Sequence, residues 1–134
     1  MKTRTGIRIK GERGNKEVRN AVILFAKWLR KNYEFPVRVP VYLLPSATFT
    51  TMDGEEVVAS FRWFGKHDEP HIRLATGDYL DLCKKFGKEG AIESILLSFA
   101  RQIVRYQNWC KTGKCTDHGV KSKSYKMVDE YFEN

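Results

Sequence analysis

The stretch that decides the reading is Ile92–Trp109, IESILLSFARQIVRYQNW. Ile92, Ile95, Leu96, Leu97, Phe99, Ala100, Ile103 and Val104 take up most of its circumference, and a helix that is apolar nearly all round is one a fold buries. Within it Ser98, Arg101, Gln102 and Arg105 stand at i, i+3, i+4 and i+7, so they share one face. Guanidinium groups on a buried helix are costly unless that face opens onto a cleft or meets anions. The stripe therefore marks a cleft or a partner.

Working outward, Gly87 and Gly90 punctuate the chain before this helix, and residues from Gly77 to about Phe86 read as a short helix of their own. Upstream lie three extended segments: Val37–Leu44, Glu56–Phe64 and His71–Thr76. Pro40 in the first implies an edge strand or a bulge, because proline cannot donate to a ladder. The turns between them hold Met52-Asp53-Gly54 and the run GKHDEP, both with turn chemistry. From Asn15 to about Tyr33, Val18, Ala21, Val22, Phe25 and Leu29 recur at helical spacing, with Asn15 as N-cap and Pro36 ending the element. Residues 1–14 form either a short strand at Ile7–Ile9 or a flexible basic arm with Arg4, Arg8, Lys10 and Arg13. A last amphipathic helix covers about Val120 to Phe132. The order is helix, three strands, then helices, which predicts one α+β domain over residues 1–134.

The bulk numbers bound the class. A chain of 134 residues that is 42% hydrophobic and 13% aromatic has the length and composition to bury a core unaided. Ala21–Ala26 and Ile95–Ala100 are the longest apolar runs and are too short to span a bilayer, so no membrane partner is expected. The basic N-terminus has no apolar signal core behind it, and three cysteines cannot all pair. Both features fit a cytoplasmic, reducing setting. The formal net charge of +8 favours nucleic acid, anionic surfaces or acidic partners without choosing among them.

The segment HIRLATGDY, the long helix with its Arg105-Tyr106-Gln107-Asn108-Trp109 end, and the terminal helix together resemble the minimal zincin metallopeptidase-like domains, the small gluzincin and SprT-like group. In that group a strand along the substrate cleft precedes a helix of the form HExxHYxQW, and a later helix supplies a glutamate ligand in an ExxA context. Tyr106 and Trp109 match the motif outright, and Asn108 stands for its glutamine. The resemblance covers most of the chain, from the first helix as a backing helix to the C-terminus, and implies bacterial or phage company.

Carried over residue by residue, the resemblance fails at the chemistry. The first metal-binding histidine falls on Arg101, the general-base glutamate on Gln102, the second histidine on Arg105, and the third ligand on Lys121. A zinc ligand needs a lone pair, whereas arginine keeps its proton and offers only donors. Gln102 has the shape of glutamate but cannot take a proton from a bound water. The only histidines are His67, His71 and His118, none of them on the long helix. The expectation is a non-catalytic, pseudo-metallopeptidase-like protein without cofactor, its former cleft lined by Arg101, Gln102, Arg105 and Lys121 and holding an anion or a peptide. The bland reading is that Asp78, Asp81 or Glu93 neutralises the arginines and the cleft is a relic. The alternative from another class is a nucleic-acid-binding accessory protein using the basic N-terminal arm and helices. A hydrolase of unrelated chemistry has no residues to point to.

Weaker signals rank below these. His67 and His71 form an HxxxH spacing, but Pro70 opposes the helix that a metal pair would need. Cys110, Cys115 and His118 form C-x4-C-x2-H, which lacks a fourth ligand and the usual cysteine spacing, so free thiols are expected. Cys83 reads as core filler. Trp28 and Trp109 read as core residues, and Arg62-Trp63 is the pairing to watch for stacking on bases.

Overall fold

In the computed structural model, which describes residues 5–11, 14–63 and 69–133, Asn15 opens the first helix. Its side-chain oxygen accepts from the backbone N–H groups of Glu17 at 2.8 Å and Val18 at 3.3 Å, satisfying donors that a helix start leaves orphaned. In α1 (Lys16–Asn32), Val18, Val22, Phe25, Ala26 and Leu29 form the buried stripe. Tyr33 ends it in extended conformation.

Four strands build the main sheet: β1 (Ile7–Lys10), β2 (Val39–Leu44), β5 (Ala59–Arg62) and β6 (His71–Ala75), in the order β1-β2-β6-β5. β1 and β6 flank β2 in parallel, and β5 closes the row antiparallel to β6. β3 (Phe49–Thr50) and β4 (Glu56–Val57) form a separate antiparallel pair. Period-two alternation sorts the sheet into two faces. Ile7, Val39, Val41, Leu43, Ala59, Ile72 and Leu74 join the helices in one core, while Arg8, Lys10, Tyr42 and Arg73 at alternate positions are exposed.

α2 (Tyr79–Thr112) runs through Gly87, whose φ of 76° and ψ of 173° break the helix into two segments. That backbone is open essentially to glycine alone. The second segment is the apolar rod. Ile95, Leu96, Phe99, Ala100, Ile103, Val104 and Tyr106 are buried along it. α3 (Val120–Glu133) packs on α2 through Val120, Ser124, Met127 and Val128. Phe25 of α1 meets Phe99 of α2 edge to face at 5.8 Å and Tyr131 of α3 at 4.9 Å, so one ring ties the three helices together.

Several expectations are corrected. The α+β class holds, but the sheet has four strands rather than three, because the arm's Ile7–Ile9 alternative is realised as β1. Pro40 lies in a central strand, not an edge. Val39 N–H donates toward β1, to Gly6 at 2.9 Å, so the alternation turns proline's missing donor toward β6, one residue before that ladder begins at Val41↔Ile72. The predicted strand Glu56–Phe64 is divided at Val58 into β4 and β5, with Phe64 outside the described residues. The short helix and the long one are continuous but for Gly87. Arg4, Arg13, His67 and Asp68 also lie outside the described residues.

Candidate functional site

β5 is the edge of the sheet nearest α2, and the space between them is a groove. Its first half, about 400 Å³, is lined by Thr48, Glu56, Val57–Ala59 of the sheet side and by Ser98, Arg101, Gln102 and Arg105 of α2. Its second half, about 420 Å³, continues along Phe61, Arg62 and Trp63 to Cys115 and Asp117 beyond the end of α2. Val57, Ala59 and Arg105 border both halves. The polar stripe of the long helix thus faces the groove, as its spacing predicts. The strand on the opposite wall is β5; His71–Ala75, which the resemblance sets beside the cleft, is one strand further in.

The sheet wall carries free main-chain groups. Val58 C=O accepts from Ala75 N–H at 2.8 Å, and Ala59 pairs with Leu74 and Phe61 with Ile72 in the antiparallel register. In such a ladder residues alternate between exchanging bonds with the partner and pointing away from it. Val58, Ser60 and Arg62 bond inward to β6, so Ala59 and Phe61 aim their N–H and C=O at the groove. No strand among the described residues covers them.

On the helix wall, Arg105 is committed. Its Nε donates to Asp117 Oδ1 at 2.8 Å and its Nη1 to Gln102 Oε1 at 2.8 Å. The expected neutralisers Asp78, Asp81 and Glu93 play no part; the counter-charge comes from Asp117 in the α2–α3 loop, twelve residues on. Gln102 is 3% exposed, and its Nε2 donates to Ser98 C=O at 3.4 Å. Arg101 is half-buried and has no hydrogen bond or ion pair among the described residues. Of the two arginines on the stripe, it is the one left open to the groove. Lys121, by contrast, is exposed on the first turn of α3 and does not line either half.

Tyr106, the next motif residue, is fully buried. Its hydroxyl donates to Val37 C=O and accepts from Val37 N–H at 3.1 Å, which fastens α2 to the lead-in of β2. Burial and the neighbouring Cys110 push its phenol above the usual tyrosine range, so it stays protonated and structural. Trp109 sits against Phe61 at 6.0 Å and Trp63 at 5.9 Å, two residues that line the groove's second half, and so backs that wall. Asn108, 7% exposed, donates from its Nδ2 to Thr116 C=O and His118 C=O, both at 3.0 Å, which shapes the loop that carries Asp117.

The side chains that face the groove offer guanidinium and amide donors on the helix wall and main-chain groups on the strand wall. Arg101, Gln102 and Arg105 supply no electron pair of the kind zinc takes, so the residues present do not fit the metal that the resemblance implies. Among the described residues no three His, Cys, Asp or Glu side chains gather as a metal-holding group. Cys110 and Cys115 are free thiols, and burial raises both, the opposite of what activates a nucleophile. Sequence reasoning found the helix wall and missed the strand wall, Glu56, Trp63 and Asp117. Asp117 carries no signal in the chain beyond lying between Cys115 and His118. Compared with known families, curated proteins and solved structures, the chain matches none.

Proposed function

We propose that this chain is a non-catalytic, zincin-like module that holds an extended acidic segment of a partner protein in the groove between β5 and α2. The observation that carries the reading is the pairing of a free strand edge with an uncommitted guanidinium across one groove. A peptide laid beside β5 gains main-chain bonds to Ala59 and Phe61, the mode by which strands add to open edges. A carboxylate on that peptide meets Arg101 in a charge-assisted bond.

Three features support the zincin-like part. The motif stripe faces the groove, a sheet edge runs along it, and a following helix packs on the motif helix. The substitution of histidine and glutamate by Arg101, Gln102 and Arg105 supports the absence of peptidase chemistry. Selection from a displayed library of random extended peptides tests the whole reading. Binders enriched in Asp or Glu, lost on Arg101→Ala and weakened when backbone amides are N-methylated, are expected. A library that yields no binder, or binders indifferent to both changes, refutes it, as does cleavage of the bound peptide by zinc-loaded protein.

A further inference from the structure

The face of the sheet turned away from the helices carries a different pattern. None of the residues in β1, β2, β5 and β6 is an Asp or a Glu, so all 16 carboxylates of the chain lie elsewhere. The same strands hold Arg8, Lys10, Arg62 and Arg73, and alternation puts all four on that outer face. The register aligns them in rows. Lys10 is beside Tyr42, Tyr42 beside Arg73, and Arg73 beside Ser60, one residue from each strand. In the neighbouring row Arg8 is beside Pro40 and Arg62 beside His71. The side chains of Arg8, Lys10, Arg62 and Arg73 have no hydrogen bond or ion pair among the described residues.

Tyr42 stands between the cations of its row and is 41% exposed. Its ring meets the His71 imidazole at 6.0 Å and an interplanar angle of 74°, which holds it in place. Burial first, then Arg73 and Arg62, lower the basicity of that imidazole. We infer that the outer face of the sheet binds single-stranded nucleic acid, with Tyr42 stacking on a base and Lys10, Arg73, Arg8 and Arg62 meeting the phosphates on either side.

A flat sheet fits a single strand, whose bases can splay onto a ring; duplex readout needs an element that enters a groove. An anionic membrane would favour apolar side chains that insert, and among the described residues of these strands Tyr42 is the exposed ring on this face. An acidic peptide has no use for that ring at the centre of the cations. Arg62 stands where this surface borders the groove's second half, while Arg8, Lys10, Tyr42 and Arg73 line neither half; the inference does not depend on the function proposed for the groove.

Fluorescence polarisation with a labelled oligothymidylate of about twenty nucleotides, more than one single-strand site in length, tests the inference across a salt series. Tyr42→Ala should weaken binding about tenfold, in line with the loss of one stacked base, and Tyr42→Phe should not. Arg73→Ala should make the slope of log K against log salt shallower by about 0.7, the share of one phosphate on a single strand. Arg101→Ala, in the groove, and Lys126→Ala, on α3, should alter neither readout. Circular dichroism and thermal melting of each variant confirm that it is folded. The inference is overturned if Lys126→Ala matters as much as Arg73→Ala, if duplex is preferred to single strand, if phosphatidylserine vesicles bind and the oligonucleotide does not, or if neither binds.

Discussion

Tyr106 shows how a single side chain can look like chemistry and act as structure. It sits where the motif of a metallopeptidase-like helix has its tyrosine, yet both functions of its hydroxyl are used on the Val37 peptide group. Tyr106→Phe leaves that N–H and C=O without partners in a part-buried setting, which costs about 1–3 kcal/mol. Urea unfolding should show this as a lower midpoint at unchanged slope. Arg105 is the converse case. Its link to Asp117 is short, but the two side chains are 31% and 79% exposed. A double-mutant cycle on Arg105 and Asp117 should therefore give a coupling below about 1 kcal/mol that shrinks with added salt. A coupling several times larger would mean that the pair is a structural clamp and not a surface latch across the groove.

At the scale of elements, the two edges of the sheet are treated differently. Gly6 directs its C=O toward β2, so the next residue, Ile7, turns its carbonyl outward, and Arg30 at the end of α1 takes it with Nε at 3.2 Å and Nη2 at 2.8 Å. That guanidinium, with Arg8 and Lys10 on the strand itself, guards the β1 edge against pairing with other chains. Arg30→Ala should cost about 1–2 kcal/mol for the lost charge-assisted bonds and should increase self-association at high concentration, seen by light scattering. On the β5 edge no side chain among the described residues takes the outward main-chain groups of Ala59 and Phe61, and this edge is a wall of the groove. Gly87 is the other device at this scale. A Cβ there would meet nothing within 4 Å, so Gly87→Ala probes backbone strain alone. A loss of about 1–3 kcal/mol is expected, and a neutral result would mean that the kink straightens freely.

For the whole molecule, charge is segregated. A net +8 is combined with a four-stranded sheet whose strands contain no carboxylate, so the strand residues themselves give its outer face cations alone. His71 feels this field. Burial first, then Arg73 and Arg62, hold its pKa below the ordinary 6.5. In the unfolded chain the imidazole takes a proton more readily, so folding stability from this residue is complete above about pH 6.5 and is lost as pH falls through the lower folded value. Denaturation midpoints should decline below that pH, and His71→Gln should flatten the decline. The α+β class, the capped first helix, the apolar long helix and the polar stripe upon it were all legible in the chain, because periodicity and capping are local properties. Strand order was not. Pro40 in a central strand, the arm's Ile7–Ile9 joining as an edge, and β5 rather than β6 bordering the groove all depend on which segments pair at a distance, and no local propensity encodes that. Nor was Asp117 recognisable as the partner of Arg105, since the loop that returns it is shaped by Asn108. By itself the sequence determined that Arg101 and Arg105 share one helix face with Gln102, and that neither arginine can ligate a metal, since arginine has no lone pair to give in any fold. Only the tertiary structure decided which cation is left open, because Arg105 finds Asp117 and Gln102 in space while Arg101 finds no partner among the described residues.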